Sequence, residues 1–262
     1  MRALVLTAPG HAGVRDVPAP EPGPGDVVVA VRRVGVCGTD QELFAGTMAY
    51  LATGRATYPL RPGHEWSGVV EAIGAGVDAS WLGARVTGDT MLACGRCDRC
   101  RSRRAHVCRD LVEVGISLGF DGALAEALRL PASSLLRLPD AVDDAAGALV
   151  EPGGNAWRAA AAVHAVPGRR ILVWGAGTVG LLAAAFARAA GAEVHVVARR
   201  PERQALAMTM GAAGAWAPDA IPDQPFDGVI DATDDAAVPA AALAAWSPAV
   251  ASPTSGCPGV RA

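Results

Sequence analysis

The sequence predicts two domains of different class, an antiparallel, barrel-like β domain over residues 1–145 and a doubly wound α/β domain over residues 146–246. Three observations carry this. The first half is rich in Val, Gly and Pro with short alternating runs, a half-buried strand pattern. Near Ala145 the texture turns to alanine-rich helix. Soon afterwards a short apolar run enters Gly175-x-Gly177-x-x-Gly180 and then a second helical stretch, so that strand, glycine turn and helix follow one another.

The elements follow in order. Residues 1–7 read as a first strand; their apolar run is too short for a secretory signal. Turn-forming clusters at residues 8–13 and 18–25 bound this strand and the next, Asp26-Val27-Val28-Val29-Ala30-Val31. Beyond residue 145 the spacing predicts a helix over 156–166, a strand over 170–174 and a helix over 181–190. Strands follow over 193–198, near 215–217 and over 226–233, then a helix near 236–246. Residues 247–262 carry repeated Pro, Ser and Gly and read as an irregular tail, with Cys257 a surface thiol.

Composition narrows the function. The 262 residues are 51% hydrophobic and carry a net charge of −3, with 23 basic side chains, all Arg. That balance leaves no global basic field to recruit nucleic acid or an anionic membrane. The longest apolar stretch, residues 181–190, is interrupted by Arg188 and is shorter than a membrane span. A cytoplasmic protein is the expectation, and in that compartment six cysteines favour metal binding or catalysis over disulfides.

The chemistry-bearing residues form three groups. Gly63-His64-Glu65 places an imidazole beside a carboxylate, with Cys37-Gly38-Thr39-Asp40 upstream and Glu151-Pro152 downstream. Thiolate, imidazole and carboxylate together make a mixed set suited to zinc, and catalytic zinc keeps three protein ligands and an open position. By itself, a lone His in such a place is more often a hydrogen-bonded core residue. The second group, Cys94-x2-Cys97-x2-Cys100-x7-Cys108, has the spacing of four thiolates converging on one structural zinc. Arg96, Arg99, Arg101, Arg103 and Arg104 interleave these ligands, which leaves a nucleic-acid-binding zinc module as an alternative, while His106 reads as a solvated lobe residue.

The third group is the glycine turn. Gly175 permits a tight turn, Gly177 lets the backbone approach a pyrophosphate, and Gly180 allows close helix–strand packing, with Thr178 and Val179 in the same turn as further cofactor-binding candidates. The following strand ends in Ala198-Arg199-Arg200, where an NAD site would carry Asp or Glu. Two guanidinium groups suit a 2′-phosphate and hence NADP, against the alternative of a solvated charge pair at a helix start.

Taken together these residues resemble the zinc-dependent medium-chain dehydrogenase/reductase family, the alcohol, polyol and sugar dehydrogenases. Gly63-His64-Glu65-x2-Gly68-x5-Gly74-x2-Val77 matches the family's zinc signature, and the other motifs stand in the family's order over residues 1 to about 246. The resemblance implies a GroES-like catalytic domain, a Rossmann domain, and a cleft between them holding zinc and nicotinamide. It implies that Cys37, His64 and Glu151 ligate catalytic zinc, with Glu65 beside the metal or bound to it and Asp40 orienting the His. Thr39 would relay the substrate proton, and hydride would pass to NADP. Glu151, where alcohol dehydrogenases carry Cys, points to the polyol, sugar or cyclitol branch, and Glu42 replaces a relay His. Family members continue past the fourth Rossmann strand with two more strands and a return segment, so the tail reads as a truncated end of a partial Rossmann domain. A homodimer or homotetramer is the family expectation. The alternative is a remnant that binds zinc and dinucleotide without turnover.

Overall fold

The computed structural model describes residues 1–246; the tail over 247–262, Cys257 included, lies outside the described residues. The chain divides into two compact units, Met1–Glu151 and Pro152–Ala262.

The first unit is built on strands β1 (Arg2–Ala8), β2 (His11–Asp16) and β3 (Asp26–Gly35), followed by helices α1 (Gly38–Ala45) and α2 (Ala49–Ala52). Next come β4 (Glu65–Ile73), β5 (Arg85–Gly88), β6 (Met91–Leu92), α3 (Asp98–Arg101), β7 (Val112–Glu113), β8 (Ala127–Pro131), β9 (Leu135–Arg137) and α4 (Asp144–Ala148). The main sheet is antiparallel with strand order β8-β3-β4-β5-β9; β1 pairs with β2, and β6 with β7, as separate ribbons. Val27, Val29, Trp66, Val70, Val86, Leu128 and Leu130 fill its core at 2% exposure or less. Each such side chain withdrawn from water stabilises the fold by about 1.5–3 kcal/mol before entropy is counted. β3 and β4 form the longest pairing, from Val27↔Ile73 to Gly35↔Glu65, with two register shifts between. That pairing decides the site: it brings the end of β3, two residues before Cys37, against the start of β4, one residue after His64.

Helix α5 (Val150–Ala162) follows α4 directly, and the unit boundary falls within it after Glu151. It begins six residues before the expected start at 156. Pro152 stands in the first turn, where a missing N–H leaves no bond unmade, and Gly153 is buried, so neither residue delays the helix. It stops at Ala162 because His164 takes a left-handed φ of 51°.

The second unit continues with β10 (Arg170–Trp174), α6 (Thr178–Ala189), β11 (Glu193–Val197), α7 (Pro201–Thr209), β12 (Gly214–Trp216), β13 (Gly228–Asp231) and α8 (Val238–Ala245). The sheet is parallel, in the order β12-β11-β10-β13. Side chains alternate across it as a period of two requires. Ile171, Val173, Val194 and Val196 pack with Ala183 and Ala187 of α6 and Ala156 of α5, whereas Leu172, Trp174 and Val197 pack on the other face with Phe226 and Val238. Both faces are therefore covered, which is why these strands read as nearly continuous apolar runs. No helix among the described residues is long and apolar enough to cross a membrane.

Candidate active site

Asp40 organises the site in the first unit. It is the third residue of α1 and reaches back so that its Oδ2 accepts the Cys37 backbone N–H at 3.0 Å, the acidic half of a capping box. Its Oδ1 accepts the Gly63 N–H at 3.1 Å. One buried carboxylate thus ties the segment carrying Cys37 to the segment carrying His64. Gly63 is required in that second segment: its φ is +101°, and a Cβ there would stand 2.7 Å from the Leu124 amide nitrogen. As a result Cys37 Sγ lies 3.0 Å from His64 Nε2. Glu65 joins them, the ligand atoms of Cys37, His64 and Glu65 all falling within 4.8 Å of one another. Thr39, one residue before Asp40, is half-buried, and Glu42 is exposed one turn along.

The charges converge on the imidazole. Burial acts to lower the pKa of His64, but its hydrogen bond to Cys37 and the charges of Asp40, Cys37 and Glu151 overcome that and raise it to about 9. Burial pushes the carboxyls of Glu65 and Glu151 up, His64 opposing it in both. Glu151 sits in the first turn of α5, half-buried, outside the tight group of three but near enough to act on His64 and Glu65. Three carboxyls and a thiol around one imidazole, with Asp40, His64 and Glu65 buried and Cys37 and Glu151 half-buried, lack a matching positive charge. His64 Nδ1 is buried without a hydrogen bond, 3.7 Å from Asp40 Oδ1, while Nε2 faces the sulfur. A divalent cation at Nε2 would neutralise this excess and let Nδ1–H turn toward Asp40, so the residues fit zinc.

The four-cysteine lobe fits a second ion. Cys97 Sγ lies 3.5 Å from Cys100 Sγ and 3.9 Å from Cys108 Sγ, and Cys94 Sγ is 4.0 Å from Cys100 Sγ. Tetrahedral coordination at a zinc–sulfur distance of about 2.3 Å sets sulfurs roughly 3.8 Å apart. Backbone N–H groups of Arg109 and Cys100 hold the Cys97 thiol down to about 6, whereas burial first, and then the Cys97 and Cys108 sulfurs, push Cys100 up to about 12. Four sulfurs this close resist joint ionisation unless a cation sits among them. Arg99 donates to the Val107 carbonyl at 2.8 Å and Arg109 forms a bidentate pair with Asp98, so part of the arginine run closes the lobe on itself.

In the second unit the glycines act at the end of β10. Gly175 has φ +102°, and a Cβ there would come 2.7 Å from the Ala232 carbonyl; a Cβ at Gly180 would overlap the Gly175 carbonyl oxygen. Gly177 precedes α6 with nothing within 4 Å of an added Cβ, an open approach to backbone N–H groups at a helix start. A cleft of about 690 Å³ opens there, lined by Gly175, Gly177, Arg199, Arg200, Arg203 and Thr233 among others. Thr178 and Val179, at the first turn of α6, are exposed and outside that lining. Arg203 was not singled out by the sequence. It stands in the first turn of α7, three residues after Arg200, the extended residue that caps the helix, and it matters only once α7 is known to start beside the cleft. Gln204 fixes that start by donating to the Ala198 carbonyl at 2.7 Å.

Comparison with known proteins adds the following. Residues 23–140 match the alcohol dehydrogenase GroES-like domain model, and residues 162–249 match an NAD(P)-binding model. The chain is 39% identical over 219 residues to an L-threonine 3-dehydrogenase of Anaeromyxobacter sp. strain Fw109-5, covering 82% of this chain and 62% of that protein. It therefore spans about three fifths of the length of the curated relatives it matches. Among solved structures, a zinc-binding dehydrogenase from Sinorhizobium meliloti 1021 bound to NADP superposes with a TM-score of 0.82 at 33% identity, covering 90% of this chain and 70% of that one. An alcohol dehydrogenase from Thermus sp. ATN1 superposes with a TM-score of 0.83 at 30% identity, covering 94% and 74%.

Proposed function

The chain belongs to the zinc-dependent medium-chain dehydrogenase/reductase family, and from that premise we propose that it interconverts a secondary alcohol and its ketone with NADP as hydride acceptor and NADPH as donor. The observation that carries this reading is the approach of Cys37 Sγ to His64 Nε2 beside the Glu65 carboxylate. Zinc bound there supplies a fixed positive charge that lowers the pKa of an alcohol. Cys37, His64 and one of the two carboxylates, Glu65 or Glu151, would hold it.

The remaining work falls to the chain's own groups. Asp40 ties the Cys37 backbone to that of Gly63 and sets its charge 3.7 Å from the His64 ring. The Thr39 hydroxyl takes the alcohol proton and passes it outward, with Glu42 on the exposed side of the path. The burial of His64 and Glu65 keeps bulk water from the reacting carbon. NADP, when bound, would supply the acceptor for the carbon-bound hydrogen and its electron pair. Gly175, Gly177 and Gly180 shape the turn for the pyrophosphate, and Arg199, Arg200 and Arg203 offer guanidinium groups to a 2′-phosphate.

A carboxylate at Glu151 supports a polyol, sugar or cyclitol substrate. The threonine dehydrogenase relatives favour a second reading, a β-hydroxy amino acid. Incubating the zinc-loaded chain with NADP and a panel of polyols, cyclitols and β-hydroxy amino acids, and following NADPH absorbance, tests both. Turnover of one class selects between them, and silence across the panel rejects the oxidoreductase reading.

A further inference from the structure

Gly35 has no turn to make. It ends β3 without a left-handed φ, so nothing in the backbone calls for glycine there. What calls for it is Glu65. The two are partnered across the antiparallel pair, and a Cβ built on Gly35 would overlap Glu65 Oε2, stand 3.0 Å from Glu65 Cβ and lie 3.2 Å from its Cδ. No other atom is nearer. The Glu65 carboxylate therefore occupies the space that a side chain at position 35 would fill, and from that seat it lies within 4.8 Å of Cys37 Sγ and the His64 ring.

We propose that Gly35 is a positioning residue for the metal centre, its missing side chain being the seat that holds the Glu65 carboxylate beside Cys37 and His64. The inference rests on the proposed metal centre. It adds that Glu65 acts on the metal from this rotamer and that the absence of a single methyl group two residues before Cys37 sets it. Because the obstruction is chiefly the far end of a flexible side chain, Gly35→Ala is accommodated by turning the carboxylate away rather than by moving backbone.

The test is a cycle of four proteins, the parent chain, Gly35→Ala, Glu65→Ala and the double variant. Each is titrated with cobalt(II) against a chelator, with the visible ligand-field spectrum and the melting temperature recorded. The four-thiolate lobe takes one equivalent with its sulfur charge-transfer bands, and the second equivalent reports the Cys37–His64 centre. Gly35→Ala is expected to weaken the second equivalent by about tenfold to a hundredfold, the range for loss of a group supporting metal ligands, and to change its spectrum. In the Glu65→Ala background the same substitution is expected to change nothing, since the carboxylate it displaces is gone. Should Gly35→Ala lower the melting temperature, the double variant is expected to melt with Glu65→Ala alone. An unchanged second equivalent in Gly35→Ala, or an equal loss in both backgrounds, overturns the role of Gly35 while leaving the metal centre standing. A parent chain that takes up only the lobe equivalent overturns the metal centre itself and the inference with it.

Discussion

Cys37 Sγ and His64 Nε2 meet at 3.0 Å although 27 positions separate them in the chain. The contact is imposed from outside the pair, because Asp40 holds the backbone of Cys37 with one oxygen and that of Gly63 with the other. Replacing either Cys37 or His64 with Ala removes a donor without touching the four-cysteine lobe. Zinc content is expected to fall from two equivalents to one in both variants, with NADPH formation lost. Elemental analysis after dialysis against a weak chelator checks this, and two equivalents retained in both variants would contradict the assignment.

Asp40→Asn separates orientation from ligation. The amide oxygen can still accept one of the two backbone N–H groups, so the start of α1 persists. What is lost is the second backbone bond together with the negative charge facing His64 Nδ1 at 3.7 Å. Metal affinity at this centre is expected to drop about tenfold to a hundredfold, as for other groups that orient ligating histidines. The lobe equivalent and the far-UV circular dichroism stay as in the parent. Chelator competition reads the difference, and an Asn variant with parental affinity would show that Asp40 serves only the backbone.

The lobe gives a prediction about stability. Within residues 94–108 only Cys108 is buried, while Val107 is 40% exposed, so little apolar packing holds this segment. A structural ion held by the four sulfurs would supply that folding energy instead. Metal removal by a strong chelator is expected to open the lobe while the main sheet, with its own valine and leucine core, stays folded. Trypsin is a direct probe, because Arg96, Arg99, Arg101, Arg103 and Arg104 lie in the segment. Rapid cleavage there after chelation, with the remainder of the unit intact, is the expected pattern. Equal resistance with and without metal would place the stabilisation elsewhere.

How much of this was legible in the sequence depended on the range of the interaction. The thiolate spacing of the lobe, the strand–glycine–helix passage at Gly175 and the His64-Glu65 pair are local patterns, and their meaning survives without knowing the fold. The β order β8-β3-β4-β5-β9 is not local: β3 pairs with β8 nearly a hundred residues later, and no short window records which strands will meet. Gly35 was silent for the same reason, since its role exists only opposite Glu65. Arg203 gained significance only from the cleft beside the start of α7. The early start of α5 was hidden by Pro152 and Gly153, which as residue types argue against a helix but as first-turn and buried residues permit one.

The cofactor pocket separates three arginines by their surroundings. Arg200 is drawn toward Glu202, with 3.6 Å between Nε and Oε1, whereas among the described residues neither Arg199 nor Arg203 is ion-paired. That exposed pair is worth little in itself, yet it gives the Arg200 guanidinium a competing partner. Arg203 is moreover only partly exposed, so its charge is screened less than that of the two at the rim. Arg203→Ala is therefore expected to weaken adenosine 2′,5′-bisphosphate by roughly tenfold or more, the value of one charge-assisted hydrogen bond. Arg200→Ala is expected to do less, and AMP, which lacks the 2′-phosphate, is expected to bind all variants alike. Calorimetric titration of the two nucleotides measures this without turnover and therefore without reference to the metal. A uniform loss for both nucleotides would mean that Arg203 supports the cleft rather than reading the phosphate, and no loss for either would return the choice between NADP and NAD to Arg199 alone.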